Sequence, residues 1–261
     1  MLHRFGYFAP WDEGFDFAPP ALGSGEVVRP PDFVGIGVQK GGTSWWYELI
    51  ADHPDVSARD TIHKERHYLA HFGAERFGPE EVRRYQGWFP RRPGTVTGEW
   101  TPDYFAYPWV APLLACAAPA AKLLVILRDP VERFRSGLSF RLSQGAPDDV
   151  ATVTDAVNQG FYARHLHRYL EYFPAEQILV LQYERCIADP TDQLAATFRF
   201  LGLGDHVPEH LLRPVNVSGR KLALDGGARD RLRDLYAADI ADLADLVPDL
   251  DLSLWPTDRR G

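Results

Sequence analysis

The chain has 261 residues, 45% of them hydrophobic and 25% charged, with a formal net charge of −8 at pH 7. Those values suit one α/β domain over residues 1–261 and exclude a disordered or fibrous chain. The acidic balance argues against a nucleic-acid partner, which calls for a basic stripe, while leaving room for an anionic small molecule where a few basic residues converge.

No apolar run reaches the roughly 20 residues of a bilayer span, so no membrane association is expected. The start, MLHRFGYFAPWDEGFDF, lacks the basic-then-apolar order of a secretory leader. Cys116 and Cys186 are too few for a disulfide framework and are expected as core thiols in a reducing, cytoplasmic compartment.

In chain order, residues 1–30 mix Gly, Pro and aromatics without period and read as an irregular arm. Val34 to Val38 is a short apolar run ending in a Gly-rich turn, the pattern of a buried strand. A helix is predicted over Ser44 to His53, stopped by Pro54, then short helices around His63 to His71 and from Pro79. Lys122 to Leu127 is a second buried strand, followed by a helix from Pro130 to about Leu142. Residues 143–160 carry turn formers and little apolar period and read as a loop insertion. The helix FYARHLHRYLEYF, the strand QILVLQY, a helix ending at Gly202, a Gly-containing loop over 213–227 and a long periodic helix close the chain. Apolar strands alternating with helices indicate an α/β fold with a central, mostly parallel sheet, which binds ligands beyond the carboxyl ends of its strands.

Two strand ends carry chemistry. The first delivers Lys40, Gly41, Gly42, Thr43, Ser44 and Trp45 into a helix start. Glycines let successive N–H groups converge on an anion, the helix N-terminus adds partial positive charge, and Lys40 adds a full one. The order differs from the triphosphate loop G-x-x-x-x-G-K-[ST], because Lys40 precedes its glycines. The loop therefore suits a donor that needs no metal, and a small-molecule kinase is disfavoured. The second strand ends in Arg128, whose guanidinium fork can clamp a phosphate, and Ser136 lies in the following helix. Asp129, Pro130 and Glu132 read as an N-cap, a first helical residue and a capping box, with no chemical role.

KGGTSWW followed by ILRDPVERFRS resembles the paired donor-binding motifs of sulfotransferases that use 3′-phosphoadenosine-5′-phosphosulfate (PAPS), and most resembles the branch containing heparan sulfate sulfotransferases and bacterial relatives. HKERHY, GEWTPDY, GFYARHL and FPAEQILVL extend the resemblance over most of residues 33–221. It implies a P-loop-like core, with the first motif on the 5′-phosphosulfate and the second on the 3′-phosphate of the donor. It also implies that Glu65 is the general base, with His67 as the rival, and that Ser218, Gly219, Arg220 and Lys221 form a late loop over the 3′-phosphate.

A dry pocket that raises its pKa would make Glu65 a better base, and in a helix its neighbours Lys64 and Arg66 should point elsewhere. A zinc motif is rejected, because H-E-x-x-H needs its glutamate one residue after the first histidine, and Glu65 is two after His63. Heparan-type relatives often carry lysine where Trp100 stands, which puts a polysaccharide acceptor in doubt. Trp88, Trp100 and Tyr104 are then candidates to line a pocket for a small-molecule or glycosylated acceptor, bound through a hydroxyl or an amine. A nucleotide-binding module without catalysis is the reading from another class.

Overall fold

The computed structural model describes residues 18–57, 64–72, 76–211 and 222–256. Its centre is a four-stranded sheet of β2 (Phe33–Gly37), β4 (Gly98–Trp100), β5 (Lys122–Leu127) and β6 (Ile178–Gln182), ordered β4-β2-β5-β6 with every pairing parallel. β2 and most of β5 are buried, as strands covered on both faces must be. A two-stranded ribbon of β1 (Val27–Val28) and β3 (Pro90–Arg91) lies apart from it. The arm expected to be irregular thus gains a short strand, and the buried Arg91 ties it down through Asp32 and the carbonyls of Arg29 and Pro30.

The helices are α1 (Thr43–Ala51), α2 (Pro79–Gln86), α3 (Val110–Ala117), α4 (Pro130–Ser143), α5 (Val150–Asn158), α6 (Tyr162–Leu170), α7 (Tyr183–Ala188), α8 (Pro190–Leu201) and α9 (Gly226–Leu246). Two apolar clusters cover the sheet. One gathers Ile36, Val125, Leu127 and Tyr169 with α3 and α6, and the other gathers Trp46, Ile50, Leu124, Ile126 and Phe198 from α1, the strands and α8. Among the described residues no helix is long and apolar enough to cross a membrane.

Half of the loop expected over 143–160 is helix α5, which Asp149 caps by accepting from the Thr152 N–H at 2.8 Å. Its only deeply buried residues are Thr152 and Ala156, and that sparse apolar face hides the helical period. Of the two thiols, Cys186 is buried as expected and Cys116 is exposed on α3.

The chain runs from β2 outward to β4, then returns to β5 on the other side of β2. The C-terminal ends of β2 and β5 therefore flank a topological switch point, where an open parallel sheet leaves a crevice for a ligand.

Candidate active site

The loop after β2 bends within van der Waals contact of its neighbours. A Cβ on Gly41 would lie 2.6 Å from the Ile126 carbonyl oxygen, and one on Gly42 would lie 2.8 Å from the Tyr183 ring. Gly42 has φ 90° and is the N-cap of α1, with no side chain capping it. The first turn of α1 therefore carries no side-chain cap, the arrangement that can receive an anion. Lys40 has φ 66°, and its ammonium lies 4.4 Å from the Phe140 ring centre on α4.

Arg128 leaves the end of β5, donates Nη1 to the Lys40 carbonyl at 3.1 Å and stacks 4.8 Å from the Tyr183 ring. The Tyr162 hydroxyl donates to the Arg128 carbonyl at 2.8 Å and fixes this corner from α6. Asp129 caps α4 as expected, accepting from Val131 N at 2.9 Å and Glu132 N at 3.0 Å. The capping box is not completed by Glu132. Glu184 at the start of α7 accepts the Asp129 N–H instead at 3.0 Å, and Glu132 pairs with Arg135 and Arg229. Ser136 is buried on α4, and a Cβ on its neighbour Gly137 would lie 3.9 Å from Lys40 Cγ, so this turn faces the lysine. Trp45 is buried and donates Nε1 to the Leu211 carbonyl at 3.0 Å. Ser218, Gly219, Arg220 and Lys221 lie outside the described residues.

The glutamate segment departs from the helix expected around His63 to His71. Residues 65–67 have no regular structure, and a 3-10 turn begins only at Tyr68. His67 takes φ 52°, so among the described residues the non-glycine positive-φ positions are Lys40 and His67, both candidates for the chemistry. His63 lies outside the described residues.

Lys64 does not point away from Glu65. Its ammonium donates to Glu65 Oε1 at 2.7 Å, to Ser44 Oγ at 3.2 Å and to Thr43 Oγ1 at 3.3 Å. His67 Nε2 lies 3.2 Å from the other carboxylate oxygen. Burial alone would raise the Glu65 pKa, but the His67 hydrogen bond and the Lys64 charge outweigh it and bring the carboxyl down to about 2. The expected upward shift is thus reversed, because the pocket that dries Glu65 also supplies an imidazole donor and an ammonium. Burial pulls the His67 imidazole down, yet its Glu65 hydrogen bond and the charge of Asp103 carry it upward overall. Glu65 is therefore the ionised partner and His67 its donor.

Trp100 and Tyr104 do not line a pocket. Both are fully buried. Trp100 pairs in register with Gly35 across the sheet, lies against the space a Cβ there would fill, and donates Nε1 to the Gly37 carbonyl at 3.1 Å. Tyr104 donates to Glu99, a fully buried carboxylate that also takes the Tyr85 hydroxyl at 2.6 Å, the Thr101 hydroxyl at 2.6 Å and the Arg66 N–H at 3.1 Å. The His67 N–H donates to Thr101 Oγ1 at 3.3 Å and the Leu69 N–H to the Tyr104 hydroxyl at 3.2 Å. These residues hold the Glu65 segment from beneath. Trp88 is half-buried, with the Arg66 guanidinium 4.8 Å from its ring.

Lys64, Glu99 and Tyr183 carry this geometry and are not among the residues singled out above. A signal for Lys64 was present, since it directly precedes the candidate base. Tyr183 ends the expected strand QILVLQY and directly follows β6, where the fold already places ligands.

The family model for the sulfotransferase domain matches residues 109–215, which hold Arg128 and Ser136. The chain belongs to the sulfotransferase family. Heparan sulfate glucosamine 3-O-sulfotransferase 6 of Mus musculus is 34% identical over 199 residues, covering 71% of this chain and 56% of the relative. Heparan sulfate glucosamine 3-O-sulfotransferase 3A1 of Homo sapiens is 30% identical over 234 residues, covering 76% of this chain and 55% of the relative. The chain thus spans little more than half the length of these curated relatives. A sulfotransferase from Alicyclobacillus acidocaldarius superposes with a TM-score of 0.71 at 25% identity, covering 87% of this chain and 99% of that one. The resemblance read from the motifs and the P-loop-like α/β fold are both borne out.

Proposed function

We propose that this protein transfers a sulfuryl group from PAPS to a hydroxyl or amine of a small-molecule or glycosylated acceptor. The observation that carries the reading is the Arg128 hydrogen bond to the Lys40 carbonyl at 3.1 Å, which joins two cationic strand ends across the switch-point crevice. Two neighbouring cationic sites suit a donor that carries phosphate at both its 3′ and 5′ positions, and the close packing at Gly41 and Gly42 suits a cradle made of main chain.

When bound, PAPS supplies an activated sulfuryl group on a phosphate leaving group. Gly41, Gly42, Thr43, Ser44 and the α1 N-terminus hold its 5′ end, where Trp45 packs the helix start in place. Lys40 balances charge on the leaving oxygen, and Arg128 and Ser136 hold the 3′-phosphate, with Ser218, Gly219, Arg220 and Lys221 assigned to the same phosphate. Glu65 takes the acceptor proton, and His67 orients its carboxylate through the 3.2 Å contact. Trp88 is left as the aromatic wall of the acceptor side.

Calorimetry without added metal tests the donor assignment. The product nucleotide 3′-phosphoadenosine-5′-phosphate (PAP) should bind more tightly than ADP by roughly tenfold or more, the worth of a hydrogen bond to a charged group. Equal affinities would remove Arg128 and Ser136 from the donor site.

A further inference from the structure

Lys64 is 6% exposed. An ammonium has three N–H donors, and here all three are engaged, by Thr43 Oγ1, Ser44 Oγ and Glu65 Oε1. The residue is held in place by its own carbonyl, which accepts the Trp100 N–H at 2.9 Å. Burial lowers the lysine's pKa, so the site works against its charge rather than for it. Lys64 spends its charge on the one surface where the donor cradle and Glu65 meet.

We propose that Lys64 is a positioning residue that makes Glu65 competent only when the donor cradle is filled: an anion against Thr43 and Ser44 draws the ammonium away from the carboxylate. The proposal rests on the sulfotransferase reading above. With all three donors committed, the ammonium can meet an arriving anion only by giving up a present acceptor. Thr43 and Ser44 lie in the cradle, so the acceptor released is Glu65. Without donor, Glu65 is pinned by the Lys64 ammonium and the His67 imidazole and is a poor proton acceptor. With donor, the ammonium is withdrawn, the carboxylate's proton affinity rises, and His67 still holds its orientation. Proton removal from the acceptor is thereby tied to the filling of the donor cradle.

The test follows the Glu65 carboxylate by ¹³C NMR, with and without saturating PAP, in the full chain and in Lys64→Gln and Lys64→Met. In the unsubstituted chain PAP should raise the Glu65 midpoint by about one pH unit, the scale of losing one close opposite charge. Both variants should start from a raised midpoint without PAP and shift little when it binds. PAP affinity should fall about tenfold in each, with the loss of one charged hydrogen bond. An unmoved midpoint in the unsubstituted chain would overturn the coupling. So would a rise of the same size in the variants, since the field of PAP itself would then be the cause. Should neither variant fold, the unsubstituted chain with and without PAP still decides. A chain that binds no PAP at all would sink the sulfotransferase reading along with the coupling, whereas binding with an unmoved Glu65 sinks the coupling alone.

Discussion

The donor cradle and the base segment are built in opposite ways. Lys40 to Ser44 are contiguous, and the groups proposed to hold the donor are mainly main chain at a strand end and a helix start. Lys64 to His67 have no regular structure, and residues near β4 fix them through the Trp100 N–H, the Glu99 carboxylate, the Thr101 hydroxyl and the Tyr104 hydroxyl. The proposed anion site is a local property of the sequence. The position of Glu65 is a tertiary property, set by a segment more than thirty residues downstream.

Substitutions that separate the two regions give the strongest test. Glu65→Gln keeps the shape and removes the base, so turnover should fall by about 10²–10⁴-fold while PAP affinity holds. His67→Ala should cost less, because it loosens the carboxylate without deleting it. A dead His67→Ala beside an active Glu65→Gln, both binding PAP normally, would reverse the two roles. Lys40→Ala belongs to the cradle and should lower turnover by about 10²-fold, the scale of one preorganised electrostatic group. Turnover close to that of the unsubstituted chain would take Lys40 out of the chemistry. Glu99→Ala reaches the base segment from below. It leaves several buried donors without their acceptor, at about 1–3 kcal/mol each, so urea denaturation should show a loss of at least about 2 kcal/mol. Turnover should drop in that variant while PAP affinity survives, and an equal loss of both would mean that the two regions are one unit.

The same division explains what could be read in advance. β5 is a continuous apolar run and appears at the predicted boundaries, Lys122 to Leu127. The cradle was legible because Lys40, Gly41 and Gly42 sit between a strand and a helix, and that context determines their backbone. The base segment was legible in residue type and not in shape. Histidines at four-residue spacing predict a helical face, but the side chains of Glu99 and Thr101 capture the N–H groups of Arg66 and His67. Trp100 was misread because its partner is an absence: Gly35 leaves room for the indole across the sheet, and nothing near Trp100 in sequence announces that.

Lys40 and His67 hold left-handed backbone at φ 66° and 52°, a conformation costing about 1–2 kcal/mol for a side-chain-bearing residue and almost nothing for glycine. Glycine at either position would relieve that backbone cost, but it would delete a side chain the proposed reaction uses and, at position 67, the 3.2 Å contact with Glu65. Engineering a sturdier form of this protein means holding positions 40 and 67 fixed and seeking the added stability elsewhere, as on the exposed face of α9.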